Sequence, residues 1–221
     1  METIVKILSA QYVTHDVRQF RLEKPSDFTF RPGQATELSI NKDGWKDKRN
    51  PFTFTSLTDA PYLEFTIKIY PEREGVTNQL STLEPGDSMI LREPWGAIEY
   101  QGPGYFIAGG AGITPFIAIL RTLKGEGTVD DNMLFYSNKT DQDIILADEL
   151  RFILGKNARF TISRQKDSKY DKRRIDENFL RAEVNDFTKA FYICGPDPMV
   201  LALTEILKKL GASADTIVFE K

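Results

Sequence analysis

The sequence predicts two successive domains: a six-stranded antiparallel β-barrel over residues 1–101, then a doubly wound parallel-sheet α/β domain over residues 102–221. Three observations lead there. Up to Gln101, short segments alternate apolar with polar residues at period two, the mark of half-buried strands. Beyond it, apolar runs of strand length alternate with amphipathic stretches of helix length, the mark of a βαβ sheet. Between them stands Gln101-Gly-Pro-Gly104, a natural break in regular structure.

In the first domain the strands are expected at Ile4–Ser9, Val17–Leu22, Ala35–Ile40, Pro51–Ser56, Leu63–Tyr70 and Ser88–Arg92. Antiparallel strands of this size close into a small barrel. One short helix, Thr77–Leu83, interrupts them and is stopped by Pro85-Gly86. In the second domain, strands are expected at Tyr105–Ala108, Asn132–Tyr136, Arg159–Ser163 and Ala190–Cys194. Helices are expected at Pro115–Lys124, Ile144–Leu154, Glu177–Val184 and Pro198–Leu210, with Gly125, Gly155 and Gly211 placed as their C-terminal glycines.

The bulk properties narrow the chemistry. The 221-residue chain has a net charge of −3, so no basic field favours nucleic acid or an anionic membrane. No apolar run approaches the ~20 residues of a membrane helix, and the N-terminal segment lacks a signal-peptide layout, so a cytoplasmic location is expected. One cysteine, Cys194, and one histidine, His15, are too few for an internal disulfide, an iron–sulfur cluster or an ordinary zinc site. No metal site is expected, and redox chemistry must come from a bound organic cofactor.

The densest signal is Tyr105-Phe-Ile-Ala-Gly-Gly-Ala-Gly-Ile-Thr-Pro115. A strand runs into glycines, and a helix opens behind them. Gly110 and Gly112 let the backbone approach a ligand, and the helix start offers N–H groups to phosphate. Thr114 is expected as the N-cap and Pro115 as the first helical residue. A second strand–turn–helix, Tyr192-Ile-Cys-Gly-Pro-Asp-Pro-Met199, suggests a nucleotide laid across the ends of a parallel sheet.

Three further pieces complete a pattern: Phe30-Arg-Pro-Gly-Gln34, Arg49-Asn-Pro-Phe-Thr-Phe-Thr-Ser56 and Gly75-Val-Thr-Asn-Gln-Leu80. With the two glycine turns, in this order, they closely resemble the ferredoxin–NADP reductase superfamily over nearly the whole chain. That resemblance implies an FAD-binding barrel over 1–101 and an NADP-binding domain over 102–221. It implies that Phe52 lies against the isoalloxazine and that Thr53 hydrogen-bonds near flavin N5. Strict register puts Asn50, beside Pro51, where the family has an arginine. Arg49 is one residue early and reaches the flavin pyrophosphate only through a shift or bulge. Tyr70 resembles the residue covering the adenine, while Gly75, Val76 and Thr77 resemble the segment wrapping the FAD diphosphate.

In the second domain the resemblance assigns the NADP pyrophosphate to Gly110, Gly112, Thr114 and Pro115, and the nicotinamide pocket to Cys194, Gly195 and Pro196. Ser163 and Arg164 match the pair that takes the 2′-phosphate, and Lys169 and Tyr170 resemble its companion element, which favours NADPH over NADH. Thr53, Cys194 and Glu220 match the residues around the hydride path. No aromatic follows Glu220, so the flavin face is expected to be open unless Phe219 covers it. The implied activity is hydride transfer from NADPH to FAD, then single-electron transfer to flavodoxin or ferredoxin by a monomeric enzyme. An oxygenase-component or free-flavin reductase and a non-catalytic electron-relay subunit are the alternatives. Lys42, Lys46, Lys48 and Arg49 form a candidate basic patch for an acidic carrier.

Overall fold

The structure is a computed structural model that describes residues 2–96 and 98–219. The chain divides into two compact units, Met1–Ala97 with Thr114–Ile119, and Ile98–Ile113 with Leu120–Lys221.

The first unit holds β1 (Thr3–Tyr12), β2 (Val17–Glu23), β3 (Ala35–Ile40), β4 (Asn50–Thr53), β5 (Tyr62–Lys68), the short helix α1 (Val76–Gln79) and β6 (Ser88–Trp95). The strand order is β4-β3-β6-β1-β2-β5, antiparallel throughout. Just past β4, Phe54 bridges Phe65 of β5, and the Thr55 amide donates to the Glu64 carbonyl at 2.8 Å. The two edge strands therefore meet, and the sheet closes into the expected barrel, which leaves no long open edge. Alternation sends Leu63, Phe65 and Ile67 of β5 into the core. There Phe54 stacks on Phe30 at 4.2 Å and tilts against Phe65 at 5.0 Å. Val76, Leu80 and Leu83 join the same core from α1 and the turn after it. Arg18 fixes the end of that turn: Nη1 donates to the carbonyls of Leu80 and Ser81, and Nη2 pairs with Glu84. A cation on the last carbonyls of a helical segment is favourable.

The second unit holds β7 (Gly104–Gly109), the second half of α2 (Thr114–Gly125) from Leu120 on, β8 (Met133–Asn138), α3 (Ala147–Leu154), β9 (Ala158–Ile162), α4 (Glu177–Glu183), β10 (Ala190–Cys194), α5 (Asp197–Lys209) and β11 (Ile217–Phe219). The order β11-β10-β7-β8-β9 is parallel at every pair. The chain steps outward from β7 to β9, then returns to β10 on the other side of β7. The β7/β10 boundary is thus the switch point of a doubly wound sheet, where such sheets bind ligands. Every residue of β7 is buried, as expected for a strand covered on both faces. Tyr105 and Ile107 face the cluster containing Phe179 of α4 and Leu203 and Leu207 of α5. The Tyr192 hydroxyl donates to the Gly102 carbonyl and accepts from the Gln101 amide, pinning the segment before β7.

Three local expectations need correction. Thr114 is not an N-cap: a 3₁₀ turn at Gly110–Ile113 leads in, Ile113 is the cap, and Thr114 is already helical. Helix α3 starts at Ala147, not Ile144. Thr140 and Asp143 cap each other reciprocally around a 3₁₀ turn, Ile144 is extended and buried, and Leu146 is left-handed at φ 53°. Gly125 does not follow its helix: it is the last residue of α2, Glu126 is the C-cap, and Gly127 takes the left-handed conformation at φ 71°.

Candidate functional site

In the second unit the two glycine turns lie side by side at the switch point, because Ala108 of β7 pairs with Cys194 of β10. Their closeness explains the glycines. A Cβ on Gly112 would lie 2.3 Å from the Cys194 carbonyl oxygen and 2.6 Å from the Gly195 nitrogen. One on Gly195 would lie 3.1 Å from the Gly109 nitrogen, and one on Gly109 2.6 Å from the Met199 sulfur. These glycines let the turns interlock. Gly110 differs: at φ 54° it needs the left-handed region, and a Cβ there would enter open space. That space above the turn is the room a diphosphate needs against exposed backbone. The Tyr136 hydroxyl donates to the Gly110 carbonyl at 2.9 Å and holds the turn from beneath. Pro115 sits in the first turn of α2, and Pro196 caps α5. The Cys194 thiol is half-buried at the end of β10.

At the far side of this rim, Ser163 donates both its amide (2.9 Å) and its hydroxyl (3.2 Å) to the Asn138 carbonyl. The Arg164 amide donates to the Lys139 carbonyl at 2.9 Å. Two exposed cations from segments far apart in sequence, Lys139 and Arg164, are thereby neighbours, without an ion-pair partner among the described residues. The first acid beyond β8, Asp141, is taken by the Ser168 hydroxyl. Tyr170 is engaged below the rim: its hydroxyl accepts from Arg151 at 2.6 Å and its ring meets Phe160 edge-on. Lys169 is exposed, with its ammonium 5.3 Å from the Tyr170 ring centre. Asp171 hydrogen-bonds Arg173, which holds its carboxyl below the ordinary range, and its carbonyl accepts from Ile162.

In the first unit, β4 presents two faces. Its register with β3 runs unbroken: Leu38 opposite Asn50, Glu37 opposite Pro51, Thr36 opposite Phe52, Ala35 opposite Thr53. Asn50 and Phe52 therefore share one face, and Phe52 packs against the barrel core. Arg49 lies on the other side with Pro51 and Thr53, where its guanidinium pairs with Glu2 at 3.2 Å and Glu37 at 3.7 Å. Tyr70 follows β5, with the Arg73 guanidinium 4.7 Å above its ring. Gly75 precedes α1 and faces open space, while Val76 is buried beneath it and Thr77 is partly exposed. Backbone, hydroxyl and aromatic groups suited to a flavin nucleotide are present, but no cation stands at Asn50. Glu220 lies outside the described residues. The basic run is largely neutralised: Lys42 pairs with Asp87, Lys46 with Asp43, and Lys48 lies over the Trp45 ring.

The comparisons with known proteins agree with this division. A family model described as an oxidoreductase FAD-binding domain matches residues 4–100, and one described as an oxidoreductase NAD-binding domain matches residues 106–205. The chain belongs to the ferredoxin–NADP reductase superfamily. Among its relatives is the reductase component of propane 2-monooxygenase from Rhodococcus jostii (strain RHA1), 27% identical over 98% of this chain and 62% of the relative. Another is human NADH-cytochrome b5 reductase 1, 29% identical over 95% of this chain and 82% of the relative. The chain thus spans less than two thirds of the first of these. Its fold matches the crystal structure of a ferredoxin NADP+ reductase from Neisseria gonorrhoeae with bound FAD and NADP, at TM-score 0.86 and 21% identity over 99% of this chain and 98% of that one. It also matches the cytochrome P450 reductase of Amycolatopsis, at TM-score 0.86 and 22% identity over 100% of this chain and 69% of that one.

For this superfamily member, the sequence pointed to both glycine turns and to Ser163-Arg164. It did not single out Asn138 or Lys139 as site residues. Their proximity to Ser163 and Arg164 depends on the pairing of β8 with β9.

Proposed function

We propose that this chain is an NADPH-dependent flavoprotein reductase that binds FAD on its barrel and passes electrons to a separate redox protein, flavodoxin or ferredoxin. The observation that carries the nucleotide preference is the β8–β9 rim. Ser163 stands there beside two exposed cations, Arg164 and Lys139, electrostatics that favour a 2′-phosphate. Bound FAD would supply the conversion of a two-electron donor to single-electron delivery. On this reading the chain's own residues bind and orient. Gly110, Gly112, Thr114 and Pro115 hold the NADPH diphosphate, and Cys194, Gly195 and Pro196 shape the nicotinamide end. Lys169 and Tyr170 flank the adenosine end. Thr53 offers a hydroxyl to the flavin edge, Phe52 an aromatic wall, Tyr70 an adenine cover, and Gly75, Val76 and Thr77 backbone amides. On the family resemblance, Thr53, Cys194 and Glu220 are the proposed hydride-path residues. Holding two rings in reactive geometry can lower a barrier by several kcal/mol.

A second reading is supported by the propane monooxygenase component that matches 98% of this chain: electrons would go to an oxygenase, and NADH would serve. Anaerobic titration of the FAD-loaded protein with NADPH and separately with NADH, followed by flavodoxin-class, ferredoxin-class and oxygenase acceptors, separates them. Bleaching of the flavin bands by NADPH alone is the expected result. Equal bleaching by NADH would favour the second reading, and no bleaching by either would refute both.

A further inference from the structure

The Asn138 side chain carries the strongest unabsorbed observation. It is 5% exposed, and among the described residues neither its Nδ2 nor its Oδ1 has a hydrogen-bond partner. A buried carboxamide with donor and acceptor both unmet destabilises a fold, and native structures keep such groups for a reason. Its position supplies one. Asn138 is the last residue of β8, at the carboxyl end of the sheet where nucleotides bind. On one side Gly109 pairs with Ser137, so the Gly110 turn lies beside Asn138; on the other, Asn138 pairs with Ile162, next to Ser163. Its own carbonyl is already held by the Ser163 amide and hydroxyl. The orphan amide thus sits between the diphosphate turn and the Ser163–Arg164 rim.

We infer that Asn138 is a ligand for the adenosine ribose of the pyridine nucleotide and a determinant of its 2′ specificity. The inference rests on the proposed nucleotide-binding reading. A carboxamide can accept from one ribose hydroxyl and donate to another, or donate to a 2′-phosphate. A carboxylate at the same place would accept only, and would repel the phosphate that Arg164 and Lys139 attract. Asn138 therefore admits a 2′-phosphate where an acid would exclude it.

The test uses the full chain and two substitutions. Asn138→Leu keeps the branched outline and the number of heavy atoms, adds bulk, and removes the polar atoms. The melting temperature is measured without nucleotide, and the affinities for 2′,5′-ADP and NADP+ by calorimetry. The expected result is a melting temperature at or above that of the unsubstituted protein, with 2′,5′-ADP affinity weaker by about tenfold or more, or about 1.4 kcal/mol. Asn138→Asp should lower the NADP+ to NAD+ affinity ratio by at least about tenfold, again about 1.4 kcal/mol. Unchanged affinities in both variants overturn the inference. A drop in melting temperature for Asn138→Leu with 2′,5′-ADP affinity unchanged also overturns it, because the site then matters to packing and not to the nucleotide. If the unsubstituted protein binds neither 2′,5′-ADP nor either dinucleotide, the nucleotide reading itself fails, an outcome distinct from intact binding that Asn138 does not affect.

Discussion

The two faces of β4 make opposite predictions for two adjacent residues. Arg49 pairs with Glu2 and Glu37, on the face away from Asn50 and Phe52. No bulge in the β3–β4 register turns it round, because the four pairs run consecutively. Its side chain is 45% exposed, so these ion pairs are worth only about 0–1 kcal/mol and hold it weakly. What keeps it from the other face is the alternation of the strand. We therefore expect Arg49→Ala to change FAD affinity by less than about threefold, under ~0.7 kcal/mol. Asn50→Arg would put a guanidinium on the Phe52 face. A hydrogen bond to a charged phosphate contributes about 1.5–3 kcal/mol, and ordering a long side chain costs about 1 kcal/mol. The net, about 0.5–2 kcal/mol, corresponds to roughly 2- to 30-fold tighter FAD. Apoprotein is titrated into FAD, and quenching of flavin fluorescence gives the dissociation constant. Loss of FAD binding by Arg49→Ala, with Asn50→Arg neutral, would show that the strand presents Arg49 to the flavin and would refute the face assignment.

Other perturbations follow from the same geometry. Gly112→Ala places a Cβ 2.3 Å from the Cys194 carbonyl oxygen, so the two turns must separate. Overpacking of this kind costs about 1–3 kcal/mol, and nucleotide affinity should fall with melting temperature; an alanine variant that binds NADP+ normally would refute the interlock. Asp176 caps α4 by accepting from the Phe179 amide at 3.0 Å. Asp176→Ala should cost about 1 kcal/mol, or about 2–4 °C in melting temperature, measured by calorimetry. Asp171 is depressed first by its hydrogen bond to Arg173. A carboxyl whose folded pKa lies below its unfolded value stabilises the fold above about pH 3.9, and that share disappears as pH falls through the folded value. Asp171→Asn should therefore lower stability at neutral pH and lose less on acidification, seen by urea unfolding at pH 7 and at pH 3. Equal losses in both proteins would rule the linkage out.

How much of this was legible in the sequence follows from which interactions are local. Period-two alternation in Leu63-Glu-Phe-Thr-Ile-Lys gave a strand because alternate side chains enter the core whatever the strand's partners. The run Tyr105–Ala108 followed by glycines gave strand and turn for the same reason. Helix starts were less legible. Thr114 and Ile144 look like a cap and a helical residue, but a 3₁₀ lead-in and a capping box upstream moved the first turn in each case. Those shifts depend on a few φ/ψ choices that tertiary packing settles.

The sequence by itself determined the two-domain order, the strand and helix periods, the glycine turns and the family resemblance, because these rest on composition and spacing along the chain. Only the tertiary structure decided that Arg49 and Asn50 face opposite ways, that Lys42 and Lys46 are already paired, and that Lys139 and Arg164 are neighbours. It alone showed that the glycines of two distant turns are needed for mutual clearance and that the Asn138 amide is buried without a partner. Register and cross-strand pairing fix each of these, and both depend on residues far apart in sequence that only the closed sheets bring together.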